Sequence, residues 1–570
     1  MTVWNIKSAD PGLVSHLKGE VRLPDILTRV LVNRGVRSAR ELKELFEPSL
    51  TRLHDPFLMM NMERASAEVV HRIKGKEKIL VFGDYDVDGT TAASMLFLFL
   101  RRLGVDVSVY IPDREKEGYG LSGKGIDYAR ETGARLIITC DCGINAHRAV
   151  SYANARGIPV IVTDHHIPDA SLPDALAVLN PKQEGCPYPF NDLCGGGVVF
   201  KLVTAVADRL DIPFEEVSDY LDLVALGTAA DLVPLVDENR ILVHHGLKKL
   251  EQSSKPGIRA LLARAGISRT DLTVGKLVYW VAPRINAAGR MGDATRAVTL
   301  LTTGDRDEAE ALALQLHNEN RARQAIQQAI VDEVEKKIDA EVDLDRDRAV
   351  VLWKEGWHPG VIGIVASRVK EVYHRPVVVI TVEGKTGKGS ARSIPRFDLY
   401  EQLSRCARHL KDFGGHPMAA GLTIEWENLE AFRRDFVDLA NESLSPEDMV
   451  STLDIEGEMD LSVIDTEFID FLKKLAPYGP GNARPRFVTR ATRVGGTPRL
   501  VGNGDHLKFT ARQNGVSYDA IGFNMARHYG RLITGDPVDI AYVVEENEWQ
   551  GQTSIQLNIK DVKPTGKGRP

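Results

Sequence analysis

Residues 79–89 read ILVFGDYDVDG, and the same grammar returns at 136–143 as LIITCDCG and at 159–166 as PVIVTDHH. Each is a short, largely β-branched apolar run that halts on an aspartate. Two further runs, VSVYIP (107–112) and ALAVLN (175–180), complete the series, and amphipathic text separates them all. Strands that are apolar at nearly every position and alternate with helices belong to a parallel sheet buried on both faces. The C-terminal strand ends of such an open α/β sheet share one edge, where ligand sites form. This reading gathers Asp84, Asp86, Asp88, Asp141, Asp164, His165 and His166 at one edge, and takes the apolar run LDLVALGTAA (221–230) as a further strand end that delivers Asp231.

Carboxylates crowded in this way repel one another, and a bound cation or a proton is the ordinary remedy. Oxygen and imidazole ligands together suit Mn²⁺ well and Mg²⁺ acceptably, whereas Zn²⁺ prefers fewer and softer ligands. There are enough carboxylates to bridge two metals about 3.5–4 Å apart, the arrangement that activates water and steadies both oxygens of an in-line phosphoryl displacement. Phosphate-ester hydrolysis is the chemistry expected. A single aspartate at a strand-to-helix turn is most often a cap, so the argument rests on the repetition. Two imitations fail. Asp84–Gly89 opens like a calcium-binding EF-hand loop, but loop position twelve is Met95 and a strand precedes it. GYGLSGK (118–124) fits a phosphate-binding G-x-x-x-x-G-K, but Gly125 stands where Ser or Thr is needed. Cys140 and Cys142 read as small buried residues beside the site, not ligands.

Outward from this unit the text changes twice. From Gly196 to about Ala340 it is mostly helical, ending in Asp305–Ala340, where Ile326, Ile330, Val334 and Ile338 recur every four residues. Such a helix is about 50 Å long and suits a connector between lobes. A second α/β unit follows: AVVLW (349–353), a helix near 360–373 and PVVVI (376–380), with KTGKGSARS (385–393) and FGGHPMAAG (413–421) expected as glycine-rich loops. Past residue 450, RFVTRATRV, HLKFTARQ, SYDAIGF, VDIAYVV and TSIQLNIKDV are short alternating runs between Gly, Asn and Asp turns, as in an all-β barrel or sandwich. The expected units are an N-terminal extension (1–75), the metal-binding domain (76–236), a helical connector (237–345), a second lobe (346–447) and a β-rich domain (448–570) with a frayed tail at KPTGKGRP.

Composition narrows the class. With 570 residues, 43% hydrophobic and 26% charged, the chain is globular, not disordered or fibrous, and long enough for several cores. Its five cysteines contain no C-x-x-C and read as thiols of a reducing compartment. The longest dense apolar stretch, Ala92–Leu100, is too short to span a bilayer and the start lacks a signal-peptide core, so a cytoplasmic protein with no membrane role is expected. A net charge of -7 gives no global positive field, so any polyanion site is local.

DYDVDG, the Asp141 strand end, DHH (164–166) and AADLVPL (229–235), in this order, resemble the DHH phosphoesterase superfamily, most fully its bacterial single-strand-specific exonuclease branch. The resemblance covers nearly the whole chain, from LPDILTRVLVNRGV (23–36) onward. It implies a DHH domain joined by a long helix to a DHHA1-type lobe carrying GSARS and GGHPMAAG, then an OB-like barrel. It further implies two divalent metals, Mn²⁺ preferred or Mg²⁺, held by Asp84, Asp86, Asp88, Asp141, His165 and Asp231, with His166 nearer the scissile phosphate; Asp86, Asp141 and His166 carry the catalysis. Which of Asp84, Asp86 and Asp88 ligate directly stays open. Many superfamily members have His where this chain has Phe82, and the exonuclease branch uses Asp84 instead.

By the same resemblance Arg114, Ser390 and Arg392 hold a terminal phosphate and His416 touches the nucleotide opposite the metals. Arg284, Arg290, Asn318, Arg321 and Arg323 either face the cleft or form a helix face salt-bridged to Glu310 and Glu319. Phe487, Phe509, Tyr518 and Phe523 either stack bases or fill the barrel. The implied activity is 5′→3′ hydrolysis of single-stranded DNA to mononucleotides in repair and recombination, by a monomer with single-strand-binding protein and a helicase as partners. The rivals are a small-substrate phosphoesterase on the same scaffold (an oligoribonuclease or cyclic-dinucleotide phosphodiesterase) and a non-catalytic replication scaffold. The β-rich tail and the absence of a membrane anchor argue against the first, the intact acidic residues against the second.

Overall fold

A computed structural model describes residues 2–270, 272–549 and 552–566. The chain opens with strand β1 (Val3–Ile6) and helices α1 (Pro11–Glu20), α2 (Asp25–Val32) and α3 (Ala39–Phe46). Asp10 caps α1 through the amides of Gly12 and Leu13, and Ser38 caps α3. After α4 (Met62–Lys74) comes a five-stranded, all-parallel sheet of β2 (Ile79–Gly83), β3 (Val107–Tyr110), β4 (Leu136–Cys140), β5 (Val160–Thr163) and β6 (Ala177–Leu179), in the order β3-β2-β4-β5-β6. Every residue of β2, β4, β5 and β6 is buried. The cause is cover on both faces, by α4, α5 (Val87–Arg102) and α8 (Gly195–Arg209) on one and by α6 (Gly123–Glu131) and α7 (His147–Asn154) on the other.

The run 221–230 is not a strand. It forms helix α9 (Leu221–Ala230), buried at all but its last residue, and Asp231 is its C-cap. A helix apolar on every side shows no 3.6-residue periodicity, and a short run of that kind cannot be told from a buried strand by pattern. Helices α10 (Asp237–Gln252) and α11 (Ala282–Met291) lead to α12 (Arg306–Glu341), whose 36 residues span about 54 Å. Near its start Ala309, Ala313 and Leu316 enter the core of the parallel-sheet lobe. Near its end Ile330, Val334 and Ile338 enter the core of the second lobe. One rigid element is therefore anchored in two cores.

The second lobe is a mixed sheet of β7 (Val350–Glu355), β8 (Val377–Glu383), β9 (Thr386–Arg392), β10 (Leu410–His416) and β11 (Ala419–Glu425), ordered β10-β11-β9-β8-β7, with α13 (Pro359–Tyr373) packed on it. The two glycine-rich stretches expected as loops are strands: KTGKGSARS supplies β9 and FGGHPMAAG the β10–β11 hairpin. Their glycines are needed for close approach, since a Cβ on Gly387 would lie 2.8 Å from Ile380 and one on Gly389 2.7 Å from Leu422.

After β12 (Thr452–Ile455), β13 (Gly457–Glu458) and helix α14 (Thr466–Leu475) come β14 (Phe487–Val501), β15 (His506–Gln513), β16 (Val516–Gly522), β17 (Val538–Trp549) and β18 (Gln552–Pro564). The sequence β14-β15-β16-β18-β17 closes through a β17–β14 pairing, giving the expected five-stranded barrel. Residues 567–570 of the expected tail lie outside the described residues. The N-terminal extension is not a separate unit: β1 pairs with β12, α1–α3 share the barrel core, and α4 packs on the parallel sheet.

A buried polar knot joins the segment around His54 to this frame. Lys201 of α8 pairs with Glu238 of α10 and donates to the His54 carbonyl at 2.8 Å, while the His54 amide and the Tyr188 hydroxyl donate to the same carboxylate. Both partners of the ion pair are almost wholly buried, and removing one partner of such a pair costs about 3–5 kcal/mol. Lys201→Met is expected to lower the unfolding free energy measured in urea by that amount, and Lys201→Met/Glu238→Leu to recover part of it. An unchanged stability in the single variant would contradict this assignment.

Candidate metal centre and substrate cleft

The strand ends deliver carboxylates as the sheet topology requires. Asp84 follows β2, and its amide donates to the Cys140 carbonyl at 3.1 Å. Asp86 caps α5, accepting from the Gly89 amide at 3.0 Å. Asp88, in the first turn of α5, accepts from the amides of Gly195 and Gly196 at 2.6 and 3.0 Å, so the head of α8 fixes both of its oxygens. Asp141 follows β4 in the left-handed region, at φ 65. A Cβ on Gly195 would lie 2.5 Å from Asp141, one on Gly227 2.5 Å from the Asp88 carboxylate, and one on Gly89 2.6 Å from Asp84. The GGG at 195–197 is the sequence signal for this cradle, and sequence reasoning passed over it.

His165 Nε2 stands 3.2 Å from Asp141 Oδ1 and 3.5 Å from Asp231 Oδ2. Among the described residues neither ring nitrogen of His165 has a hydrogen-bond partner, nor do Asp84 Oδ1 and Asp141 Oδ1, although all four atoms are buried. Three groups bring one ligand atom per residue within 4.8 Å of one another: Asp84, Asp86 and Asp141; Asp88, His165 and Asp231; and Asp141, His165 and His166. Orphaned buried acceptors converging on a common space fit cations better than they fit packing, because each would otherwise go unsatisfied. Two ions would divide the set, with Asp141 within reach of both.

The electrostatics agree. Burial, reinforced by Asp86, pushes the Asp84 carboxyl well above its usual range; burial and then Asp88 do the same to Asp141. Burial followed by Asp86 takes Asp88 up to about 6, and burial followed by Asp88 takes Asp231 up to about 9. Burial, then the neighbouring His166, takes His165 down to about 3, leaving a neutral imidazole suited to ligation. Asp164 has a different task. One oxygen accepts from the His165 and His166 amides and from His166 Nδ1 at 2.7 Å, and the other accepts from the Ile144 amide at 2.9 Å. Burial opposes charge on His166, but its bond to Asp164 and that carboxylate's charge prevail and raise its pKa. Tyr119, not singled out in the sequence, places its hydroxyl 3.0 Å from His166 Nδ1 and 3.1 Å from the Asp141 carbonyl. Its flanking glycines, Gly118 and Gly120, both at positive φ, were the available signal.

Cations stand beside the acids. Burial, then the charges of Arg114, Arg323 and Arg392, lowers Arg290 to about 10, and burial followed by Arg114 lowers Arg392. Among the described residues none of these four arginines makes an ion pair. Arg114 lies over the Tyr85 ring at 5.1 Å, Arg290 donates to the Gly360 carbonyl at 3.1 Å, and Arg392 donates to Ser390 Oγ at 3.0 Å and Ser367 Oγ at 3.1 Å. Arg323 is tied within α12 to Asn320 and Gln327.

Other expected contacts fall elsewhere. Arg284 is buried in the connector, where it donates to the carbonyls of Trp280 and Arg264 and meets His317 Nδ1 at 3.3 Å, so its guanidinium is not free for a phosphate. His416 is exposed at the end of β10, and among the described residues its side chain makes no hydrogen bond or ion pair. Asn318 and Arg321 are exposed, while Glu310 and Glu319 pair with Arg264 and Arg296. Of the four barrel aromatics, Phe487 and Phe509 are core, Tyr518 donates its hydroxyl to the Ile464 carbonyl, and Phe523 is exposed.

Family models described as "DHH family, N-terminal domain", "DHHA1 domain" and "RecJ OB domain" match residues 78–228, 346–442 and 455–561. The single-stranded-DNA-specific exonuclease RecJ of Bacillus subtilis is 36% identical, over 98% of this chain and 70% of that protein. Crystal structures of RecJ from Thermus thermophilus with Mn²⁺ and with Mg²⁺ align at TM-scores of 0.84 and 0.79, each 30% identical. The Mn²⁺ structure covers 100% of this chain and 81% of the other, and the Mg²⁺ structure 99% and 78%. With likeness of this extent in sequence, domain content and fold, the chain belongs to the RecJ family of DHH and DHHA1 proteins.

Proposed function

We propose that this chain is a single-strand-specific DNA exonuclease that hydrolyses phosphodiester bonds with two divalent cations, Mn²⁺ or Mg²⁺, from a 5′ end, releasing mononucleotides. The observation that carries the reading is the juxtaposition of buried carboxylate and imidazole atoms with arginines, neither set having its natural partner among the described residues. A divalent cation pair and a phosphodiester satisfy both sets at once. Bound there, the cations supply an acidified water and offset charge on the phosphoryl oxygens.

The chain's own residues do the rest. Asp84, Asp86 and Asp141 form one ligand set and Asp88, His165 and Asp231 the other. With Nδ1 committed to Asp164, His166 has only Nε2 to offer, and in its cationic form that nitrogen donates to a phosphoryl oxygen in the transition state. Tyr119 steadies the same ring. Arg114, Ser390 and Arg392 hold the terminal phosphate at a fixed distance from the metals, which sets the direction of digestion. Arg290, held by the Gly360 carbonyl, lends charge between the lobes.

The five-stranded barrel favours a polymeric strand over a small substrate, with the exposed Phe523, set edge to face against His506, as its candidate stacking ring. The complete acidic set favours an enzyme over a silent scaffold. We place the chain in DNA repair and recombination, as a cytoplasmic monomer whose substrate is exposed by a helicase and covered by single-strand-binding protein. Among the described residues no helix is long and apolar enough to cross a membrane.

Asp141→Ala and His165→Ala are each expected to lower kcat by roughly 10²–10³-fold or more with Mn²⁺ present, with an unchanged circular dichroism spectrum. End-labelled single-stranded oligonucleotides provide the assay, and near-wild-type digestion by either variant would refute the ligand assignment. Arg392→Ala is expected to cut the preference for 5′-phosphorylated over 5′-hydroxyl ends by roughly tenfold, since a charge-assisted hydrogen bond contributes about 1.5–3 kcal/mol. Initial rates on the two end chemistries test this; an unchanged ratio, or digestion from the 3′ end, would remove Arg392 from the terminal-phosphate pocket.

A further inference from the structure

Arg114 and Tyr119 come from one loop, residues 111–122, which joins β3 to α6. Glu117 lies between them in the chain, and both of its carboxylate oxygens are engaged. Oε1 accepts from the Asp113 amide at 3.0 Å, Oε2 accepts from the Ser122 hydroxyl at 2.6 Å, and the Tyr110 hydroxyl donates between the two at 3.1 and 3.0 Å. Tyr110 is the last residue of β3 and Ser122 the N-cap of α6, so one carboxylate ties both ends of the loop together. Ser122 in turn accepts from the Gly125 amide at 3.1 Å, which carries the tie into the head of α6.

The stretches on either side of Glu117 are shaped separately. Before it, Asp113 accepts from the amides of Glu115 and Lys116 at 2.9 and 3.0 Å, and the Glu117 amide donates to the Asp113 carbonyl at 2.8 Å, which closes the turn that bears Arg114. After it, Gly118 and Gly120 take φ of 80 and 88, and the chain turns so that the Tyr119 hydroxyl meets His166 Nδ1 at 3.0 Å. The GYGLSGK stretch that imitates a phosphate-binding loop has its first two glycines for this purpose. Among the described residues Glu117 makes no ion pair; three neutral donors hold it. Burial, then the bond to Glu117, pushes Tyr110 up to about 12, so its hydroxyl stays a donor.

We propose that Glu117 is a positioning residue that serves two groups of the site at once, presetting Arg114 for the terminal phosphate and Tyr119 for the His166 ring. The proposal rests on the exonuclease reading and deepens it. An arginine on an unheld loop loses conformational freedom when it grips a phosphate, and that loss weakens binding. Ordering the loop beforehand removes the loss and fixes the distance from Arg114 to the metal centre in the free protein. A carboxylate suits the task better than an amide, because both of its oxygens accept and hydrogen bonds to a charged acceptor are roughly twice as strong as neutral ones. End recognition and the orientation of His166 are thereby coupled through one side chain. A carboxylate that only stabilised the fold would leave end preference untouched.

The test measures kcat and KM, with Mn²⁺, on 5′-phosphorylated and 5′-hydroxyl single-stranded oligonucleotides, alongside thermal unfolding of every variant. Glu117→Ala should cut the preference for the phosphorylated end by roughly three- to tenfold and lower kcat on both ends by roughly tenfold, with Glu117→Gln in between. Tyr110→Phe and Ser122→Ala, which each remove one donor, should shift both readouts the same way by less, and they decide the matter if Glu117→Ala does not fold. In an Arg114→Ala background Glu117→Ala should leave the end preference where it is and still lower kcat. An unchanged end preference in Glu117→Ala, whether or not its unfolding temperature falls, would overturn the proposal, as would a further fall of the preference in the Arg114→Ala background. Wild-type protein that treats both ends alike would remove the terminal-phosphate pocket and this proposal with it, whereas wild-type protein inert on both would refute the exonuclease reading itself.

Discussion

Mutual repulsion among carboxylates at one buried sheet edge is the constraint that the rest of this structure answers. Asp84, Asp88 and Asp141 are nearly inaccessible to solvent, and burial together with their neighbours' charge drives each away from its ionised form. A bound cation reverses this, and in its absence a proton does. Among the described residues the ring nitrogens of His165 and the oxygens Asp84 Oδ1 and Asp141 Oδ1 lack hydrogen-bond partners, which fits a cation.

Much of the surrounding architecture serves to keep this cluster in place. Glycines at 89, 195 and 227 let backbone and helix heads approach where a Cβ would collide with an aspartate. Asp164 holds the His166 ring and fixes which of its nitrogens is free. Helix α12, anchored in two cores, joins the acidic edge to the lobe that carries Ser390 and Arg392. Among the described residues the acids and the nearby arginines thus feel one another's charge without forming ion pairs, as the proposed binding of metal and phosphate requires.

The sequence made the parallel sheet legible because both-face burial writes itself as uninterrupted apolar strands, and the aspartates after them mark its functional edge. The same rule misled at 221–230, since a helix buried on every side carries no periodicity, and Asp231 arrives from a helix end. Glycine-rich β9 and the β10–β11 hairpin read as loops because the reason for their glycines lies on neighbouring strands, in Ile380 and Leu422. Arg284 looked available because its carbonyl partners are set by helix packing that no local pattern records. Tyr119 escaped notice for a similar reason: its hydroxyl finds His166 only after the chain has folded.

The account stands or falls on what occupies the acidic edge. Titrating Mn²⁺ into chelator-stripped protein, with bound metal followed by electron paramagnetic resonance and stability by thermal unfolding, tests it most directly. Two ions per chain, close enough for their signals to couple, with a rise in unfolding temperature that Asp141→Ala abolishes, is the predicted result. A single uncoupled ion, or binding that leaves the unfolding temperature unchanged, would contradict it.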